Sequence, residues 1–115
     1  MKKSGQLVLF RFPQTDLLPG KLRPALLLAP LPSGRNDWLV CMISSQIGQT
    51  IAGVDEIINA SDPDFAASGL KTASNIRLTR LAVVSDSILF GVIGEISGAR
   101  LGGLKKRLAQ WIESN

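Results

Sequence analysis

Two polar clusters stand at the edges of apolar segments in the first half of the chain. Arg23 directly precedes Pro24 and an apolar run, and the hydroxyls of Ser44 and Ser45 directly follow another apolar run. An arginine that directly precedes a proline has restricted backbone freedom. Its guanidinium can donate two parallel hydrogen bonds to phosphate oxygens. A hydroxyl adds one further donor. Fixed on rigid strand ends, this pair suits chemistry at a phosphodiester.

Each of these residues also has a purely structural interpretation. An arginine at position 23 is equally typical of a surface salt bridge across a turn, and serines at the end of a strand are more often turn formers. The residue types alone leave both interpretations open.

A second set of candidates lies on residues 75–84, where apolar and polar side chains alternate. Because successive side chains of a strand point to opposite faces, Arg77 shares a face with Thr79, and Arg80 points away. The pattern predicts a half-buried strand with a polar face. A simple solvated strand face is slightly favoured over a binding role.

Other polar and aromatic residues are interpreted as structural. Asp62 and Asp64 are expected to cap a turn, and residues 105–107 (Lys-Lys-Arg) to form the solvated side of a helix. Trp38 and Trp111 stand in apolar patterns and are predicted to lie in the core.

Several kinds of site are excluded by composition. The chain has no histidine, so it has no two-imidazole nuclease site and no metal site of the Cys/His kind. Its single cysteine, Cys41, lies in an apolar run, where burial would make it a poor nucleophile. No glycine-rich phosphate loop is present. The phosphate-binding candidates are therefore arginines, aided by hydroxyls and one carboxylate.

Length and composition predict one domain spanning residues 1–115. A single cysteine fits a reducing compartment, and no apolar run reaches the length needed to span a bilayer, so a cytoplasmic protein is expected. The net charge of +4 is compatible with a polyanionic partner. The high apolar content favours a homodimer.

The hydrophobic pattern predicts a mainly β fold that ends in one helix. Strands are expected at residues 6–12, 25–31, 38–43, 54–58, 75–84 and 88–96, with one helical turn between Asp62 and Gly69. Ser97 is a plausible N-cap for the final helix. Its apolar stripe is Leu101, Leu104, Leu108, Trp111 and Ile112. These elements predict a small barrel or a strongly bent antiparallel sheet with a C-terminal helix.

Several short segments, in order, carry a family resemblance over nearly the whole chain. They are Gly5-x-Leu-Val-Leu, Phe12-Pro13-Gln14-Thr15-Asp16, Lys21-x-Arg23-Pro24-Ala25, Cys41-Met42-Ile43-Ser44-Ser45-Gln46, Ile76-Arg77-Leu78-x-Arg80-Leu81 and Ile93-Gly94-Glu95-Ile96. Together they resemble the MazF/PemK-like toxins of type II toxin–antitoxin systems. The Arg-Pro strand entry and the Met-Ile-Ser-Ser-Gln strand end are the most specific parts.

The resemblance implies an SH3-like barrel that forms a homodimer and pairs with a cognate antitoxin. It also implies a sequence-specific endoribonuclease that cleaves single-stranded RNA without a metal or cofactor. Arg23 and Ser44 match the family positions that carry cleavage. The RNA-binding residues expected on the same basis are Asp16, Lys21, Ser45, Gln46, Arg77 and Thr79.

Two departures from the family pattern keep other functions open. Thr79 stands where some members have an aspartate, and the occasional active-site histidine has no counterpart. A similar barrel serves the CcdB toxins as a non-catalytic inhibitor of a protein target such as DNA gyrase. An inactive relative that only binds its partner is the third alternative, and fold alone does not choose among them.

Overall fold

A computed structural model describes residues 1–11 and 21–115. Its strands are β1 Gln6–Arg11, β2 Leu22–Pro30, β3 Asp37–Ser44, β4 Glu56–Ile58, β5 Ser74–Ser85 and β6 Val92–Glu95. Its α-helices are α1 Phe65–Ser68 and α2 Gly98–Glu113, and 3₁₀ turns span Ile47–Gln49 and Asp86–Ile88. The described strands form one antiparallel sheet in the order β4-β5-β3-β2-β1-β6.

The predicted elements are present, and the last strand differs most from its prediction. Only Val92–Glu95 is a regular strand, whereas Asp86–Ile88 forms a 3₁₀ turn. The turn starts there because the Ser85 hydroxyl accepts a hydrogen bond from the backbone N–H of Ser87. Residue 12 of the first predicted strand and most of the loop after it lie outside the described residues.

Apolar side chains cover both faces of the central strands. One face packs against α2 through a buried cluster that includes Leu26, Ile43, Ile76 and Leu104. The opposite face carries a second cluster: Val8, Phe10, Ala25, Leu27, Trp38, Val40 and Val84. Strands with two buried faces are apolar almost without interruption, which explains the continuous runs in the sequence. Trp38 lies in the core, as predicted.

The sheet curls until its two edges approach each other through α1. This short helix follows the edge strand β4 in the chain and packs on the other edge strand, β6. The approach requires glycine on both sides. Gly69 ends α1 with a φ of +77°, and a Cβ at Gly69 or Gly94 would collide with backbone atoms of the facing element. The result is a half-barrel with one C-terminal helix, as the fold-class prediction required.

Helix α2 begins as the sequence predicts and ends differently. The hydroxyl of Ser97 caps it by accepting a hydrogen bond from the Arg100 backbone N–H, 3.1 Å away. Leu104 and Leu108 are buried, but Trp111 and Ile112 are 41% and 58% exposed. The prediction of a core position for Trp111 is wrong, because the buried part of the apolar stripe ends at Leu108. No helix in the described part of the chain is long and apolar enough to cross a bilayer.

An ion-pair cluster ties α2 to the segment before α1. The Arg100 guanidinium contacts Glu56 at 2.7 Å, Asp62 at 2.8 Å and Asp64 at 2.9 Å. Asp62 also accepts a hydrogen bond from the Asn59 backbone, so its predicted turn-capping role is confirmed. The Asp64 side chain makes no cap to α1 and instead accepts from the Ser97 backbone N–H. That part of the capping prediction is wrong.

The basic run on α2 is only partly solvated. Lys105 and Lys106 are exposed, as predicted. Arg107 is half-buried, and its guanidinium contacts the Glu56 carboxylate at 3.0 Å. The helical period turns this third basic residue toward β4, so the prediction of a solvated side is wrong for Arg107.

Candidate functional site

The register between β2 and β3 brings the two principal candidates together. Ala25 pairs with Met42, and continuing this antiparallel register by two residues places Arg23 opposite Ser44. Both residues line a groove of about 430 Å³ where β2 begins and β3 ends. Residues far apart in the sequence thus meet at one end of the sheet.

The groove is cationic and rich in hydroxyls. Its described lining includes Arg23 and Lys71 but no carboxylate. Hydroxyl residues line it as well: Ser44, Ser45, Thr72 and Ser74. The remaining lining residues are apolar apart from Gly69. Unbalanced positive charge beside hydroxyl donors favours an anionic ligand.

Arg23 has no partner for its charge in the part of the chain that the structure describes. Its side chain is half-buried at the entry of β2, directly before the apolar stretch. Within the described residues, no hydrogen bond or ion pair engages its guanidinium. The surface salt bridge considered as an alternative is absent from that part of the structure. The guanidinium therefore keeps its donors available to a ligand.

Ser44 combines a local structural role with a position in the groove. It is the last residue of β3 and only 5% exposed, and its Oγ accepts a hydrogen bond from the Gln46 backbone N–H at 3.0 Å. Accepting that bond leaves the hydroxyl proton free to be donated. Ser45 and Gln46, which follow, are both exposed.

Arg77 and Thr79 share a polar environment, as the alternation predicted, but neither lines this groove. Both contact Asp55, a carboxylate that the sequence analysis did not single out. The Thr79 N–H and hydroxyl donate to Asp55 Oδ1, each at 3.1 Å, and Arg77 Nε lies 3.9 Å from Oδ2. Arg77 Nη1 also donates to Gln49, at 3.3 Å.

A bulge in β5 explains why Asp55 can occupy this position. The β3–β5 register shifts between Cys41, which pairs with Leu81, and Met42, which pairs with Arg77. The extra residues of β5 leave the regular ladder, and the Asp55 carboxylate accepts the hydrogen bond of the Thr79 backbone N–H. Thr79 thus binds a carboxylate from another segment. The acidic pair Asp55 and Glu56 at the start of the short segment 54–58 was the available sequence signal.

Asn75 is the second residue that sequence analysis missed. It pairs with Ser44 across the β3–β5 ladder and is 0% exposed. Neither its amide nitrogen nor its amide oxygen has a hydrogen-bond partner among the described residues. Its sequence context gave no signal, because Asn75 stands among the alternating polar and apolar residues that begin β5.

The remaining predicted residues stand at the border of the described structure. Lys21 is exposed and directly precedes β2. Asp16 lies outside the described residues, so its predicted role stays a prediction. Lys71 and Thr72 belong to the groove and were not predicted, because they lie in a polar loop that the sequence pattern does not connect to β2.

A family model for PemK-like and MazF-like toxins of type II toxin–antitoxin systems matches residues 3–112. The chain belongs to this family. No curated protein matches it in sequence. The PemK/MazF-like assignment agrees with the motifs at Arg23 and Ser44, and with the half-barrel that carries them.

Solved structures of PemK/MazF-like fold resemble the chain over nearly its whole length. An endoribonuclease in complex with its cognate antitoxin from a mycobacterial species superposes with a TM-score of 0.69 at 14% identity, covering 98% of this chain and 96% of that one. The Mycobacterium tuberculosis toxin MazF-mt6 gives 0.69 at 14% identity, covering 94% and 96%. A further mycobacterial endoribonuclease gives 0.65 at 14% identity, covering 97% and 91%. At these identities the likeness shows the fold.

The structure of this PemK/MazF-like chain also bears on a cysteine nucleophile and on a metal site. Burial raises the pKa of the Cys41 thiol far above its usual range, and the nearby Asp55 carboxylate adds to the shift. The prediction that Cys41 is a poor nucleophile is therefore confirmed. Among the described residues, no group of three or more histidine, cysteine, aspartate or glutamate side chains is arranged to hold a metal ion.

Proposed function

We propose that this chain is a toxin that cleaves single-stranded RNA as a sequence-specific endoribonuclease. The observation that carries the proposal is a pair of side chains at one cationic groove: the Arg23 guanidinium, which has no partner in the described part of the chain, and the Ser44 hydroxyl. Family membership supports it, as does the description of two structural neighbours as endoribonucleases.

The proposed reaction is an internal transesterification. The RNA 2′-oxygen attacks the adjacent phosphorus, the bond from phosphorus to the 5′-oxygen breaks, and the products are a 2′,3′-cyclic phosphate and a 5′-hydroxyl. Negative charge grows on the non-bridging oxygens in the transition state. Arg23 donates to those oxygens and Ser44 supplies a second donor, which lowers the barrier by fixed electrostatic stabilisation.

Proton transfer requires groups other than Arg23. An arginine side chain stays protonated at neutral pH, so it stabilises charge without exchanging a proton. The proton leaves the 2′-hydroxyl and the departing 5′-oxygen gains one. Asp16, in the segment that joins β1 to β2, is the proposed carboxylate for one of these transfers.

The proposed RNA contacts extend from Arg23 along the neighbouring residues Lys21, Ser45 and Gln46. Arg77 and Thr79 are proposed to act beside them with smaller effect, because Asp55 already engages both side chains. The cation Lys71 adds a phosphate contact on the other side of the groove. Such contacts release counterions, so RNA binding should weaken steeply with added salt.

The proposed partners are a cognate antitoxin and a second copy of the chain, in the cytoplasm where RNA is available. An acidic antitoxin segment complements the Arg23 and Lys71 charges. Exposed apolar side chains supply surface for the homodimer; they include Leu81, Val83, Trp111 and Ile112. A surface of this kind is typical of a subunit interface.

The direct test is incubation of the purified protein with end-labelled single-stranded RNA in EDTA. We expect discrete fragments that end in a 2′,3′-cyclic phosphate and begin with a 5′-hydroxyl. Repeating the cleavage reaction at several salt concentrations tests how strongly RNA binding depends on phosphate contacts. Intact RNA across a varied pool would contradict the proposal and leave the non-catalytic inhibitor and the inactive relative as the alternatives.

A further inference from the structure

Within residues 1–11 and 21–115, the fully buried amide of Asn75 has no hydrogen-bond partner on either its nitrogen or its oxygen. Nearly all buried polar side chains in native proteins are paired, since an unpaired buried amide loses its hydrogen bonds to water without replacement. A protein that keeps this residue carries a stability cost, and such costs concentrate at functional sites.

Asn75 lies directly beside the hydroxyl proposed to act in cleavage. It pairs with Ser44 on β3 and with Ile57 on β4. The neighbouring pair Ile43 and Ile76 belongs to the core cluster beneath α2, so Ser44 and Asn75 point together to the other face of the sheet. Directly opposed side chains have Cβ atoms roughly 4.5–5.5 Å apart, within reach of a small side-chain rotation.

The hydrogen-bonding capacity of Ser44 shows what the amide can do. A hydroxyl has one donor and two acceptor lone pairs, and the Gln46 backbone N–H occupies one lone pair. If a second donor fills the other lone pair, the hydroxyl proton must point away from both donors. The Asn75 amide nitrogen is an unused donor at the adjacent position.

We propose that Asn75 is a positioning residue that donates to Ser44 Oγ in the RNA complex and thereby aims the Ser44 hydroxyl at the scissile phosphate. This inference rests on the proposed nuclease function. Asn75 does not touch RNA itself, because both of its amide atoms are closed to solvent. Its action is on orientation, so it should affect kcat more than KM.

The test compares Asn75→Leu, which has a similar size and no polar atoms, with the wild type and with Asn59→Leu at an exposed asparagine. We expect Asn75→Leu to be at least as stable in thermal unfolding, since the unpaired amide is gone. Its kcat should fall about tenfold, the size of one hydrogen bond, with KM nearly unchanged. The control should keep the wild-type kcat.

A double-mutant cycle decides whether Asn75 acts through Ser44. In a Ser44→Ala background, Asn75→Leu should lower kcat no further. An additional tenfold loss there would overturn the proposal. So would a clear drop in the melting temperature of both Asn75→Leu and Asn75→Ala, which would indicate an ordinary structural amide. If leucine strains the strand, Asn75→Ala supplies the same cycle with a smaller side chain.

Cleavage by the wild-type protein, measured in the same experiment, distinguishes a failure of this inference from a failure of the nuclease proposal. Cleavage by the wild type with an unchanged kcat in both Asn75 variants overturns the role of Asn75 and leaves the nuclease standing. No cleavage by the wild type overturns both.

Discussion

Arg23 and Arg100 are both partly enclosed arginines, yet their surroundings are opposite. Arg100 contacts three carboxylates within 3 Å, from Glu56, Asp62 and Asp64. Arg23 lies in a groove whose described lining holds a second cation, Lys71, and no carboxylate. Among the described residues, the charge of Arg100 is balanced by carboxylates and the charge of Arg23 is not.

The charge of Arg100 stabilises the fold, whereas the charge of Arg23 is available to a ligand. Carboxylates satisfy Arg100 and hold α2 against the segment before α1. Removing this arginine leaves Asp62 and Asp64 without a counter-charge among the described residues, whereas Glu56 keeps its contact with Arg107. Arg23 forms no comparable contact among the described residues, so its removal should cost the fold little. Removing Arg100 should therefore lower stability, and removing Arg23 should lower RNA cleavage.

The largest expected effect is on stability, from Arg100→Ala. We expect the free energy of unfolding to drop by about 3–5 kcal/mol, because three carboxylates lose their shared partner. Denaturant titration measures it. Lys105→Ala, on the exposed side of the same helix, should change stability little.

The contrary result for Arg100 would be a loss no larger than that of the Lys105 control. If the alanine variant does not fold, Asp62→Asn removes one of the three contacts and gives a smaller loss in the same direction. RNA cleavage per folded molecule should stay at the wild-type value in either variant, since neither residue lines the groove.

The second largest effect is on activity, from Arg23→Ala. We expect cleavage to fall by about 10²–10³-fold, the usual loss when one donor to a developing oxyanion is removed. The free energy of unfolding should stay within about 0.5 kcal/mol of the wild type, as for surface substitutions away from special contacts. Single-turnover cleavage and denaturant titration together measure both quantities.

A matched control for Arg23→Ala is Arg35→Ala, an exposed arginine outside the groove. It removes the same charge and should leave cleavage nearly unchanged. Equal losses in the two variants would show that only net charge matters. Unchanged cleavage in Arg23→Ala would remove this residue from the site.

Much of the fold was predictable because each element has a local pattern of its own. Continuous apolar runs predict strands buried on both faces, and the cluster around Trp38 confirms it. Ser97 before a helical stripe predicts the start of α2, which its hydroxyl caps. The exposure of the last turn of α2 was not predictable, since Trp111 keeps the helical period of the apolar stripe and yet lies outside the core.

The site was predictable only where a motif marks it. Arg23 and Ser44 stand at strand ends and lie opposite each other once the register is known. Asp55 and Asn75 have no such signal, because their neighbours come from distant segments through a bulge and a cross-strand pair. The register between strands that are distant in the chain decides which polar residues come together, and the local sequence pattern does not predict that register.

The smallest predicted effect concerns the pH dependence of the Arg100 cluster. The Arg100 guanidinium lowers the pKa of Asp64 from 3.8 to about 2, with further help from the Ser97 N–H against the opposing effect of burial. A carboxyl with a lowered folded-state pKa adds stability that is complete above its unfolded pKa. That stability is lost as pH falls through the folded value.

The shift corresponds to a contribution on the order of 2 kcal/mol from Asp64, lost between about pH 5 and pH 2. The stability advantage of the wild type over Asp64→Asn should therefore shrink by that amount across this range, as measured by denaturant titration at each pH. In an Arg100→Ala background the same comparison should become nearly flat. If the stability difference still depends on pH without Arg100, the Ser97 backbone N–H lowers the pKa of Asp64. The Arg100 guanidinium would then hold α2 in place without lowering that pKa.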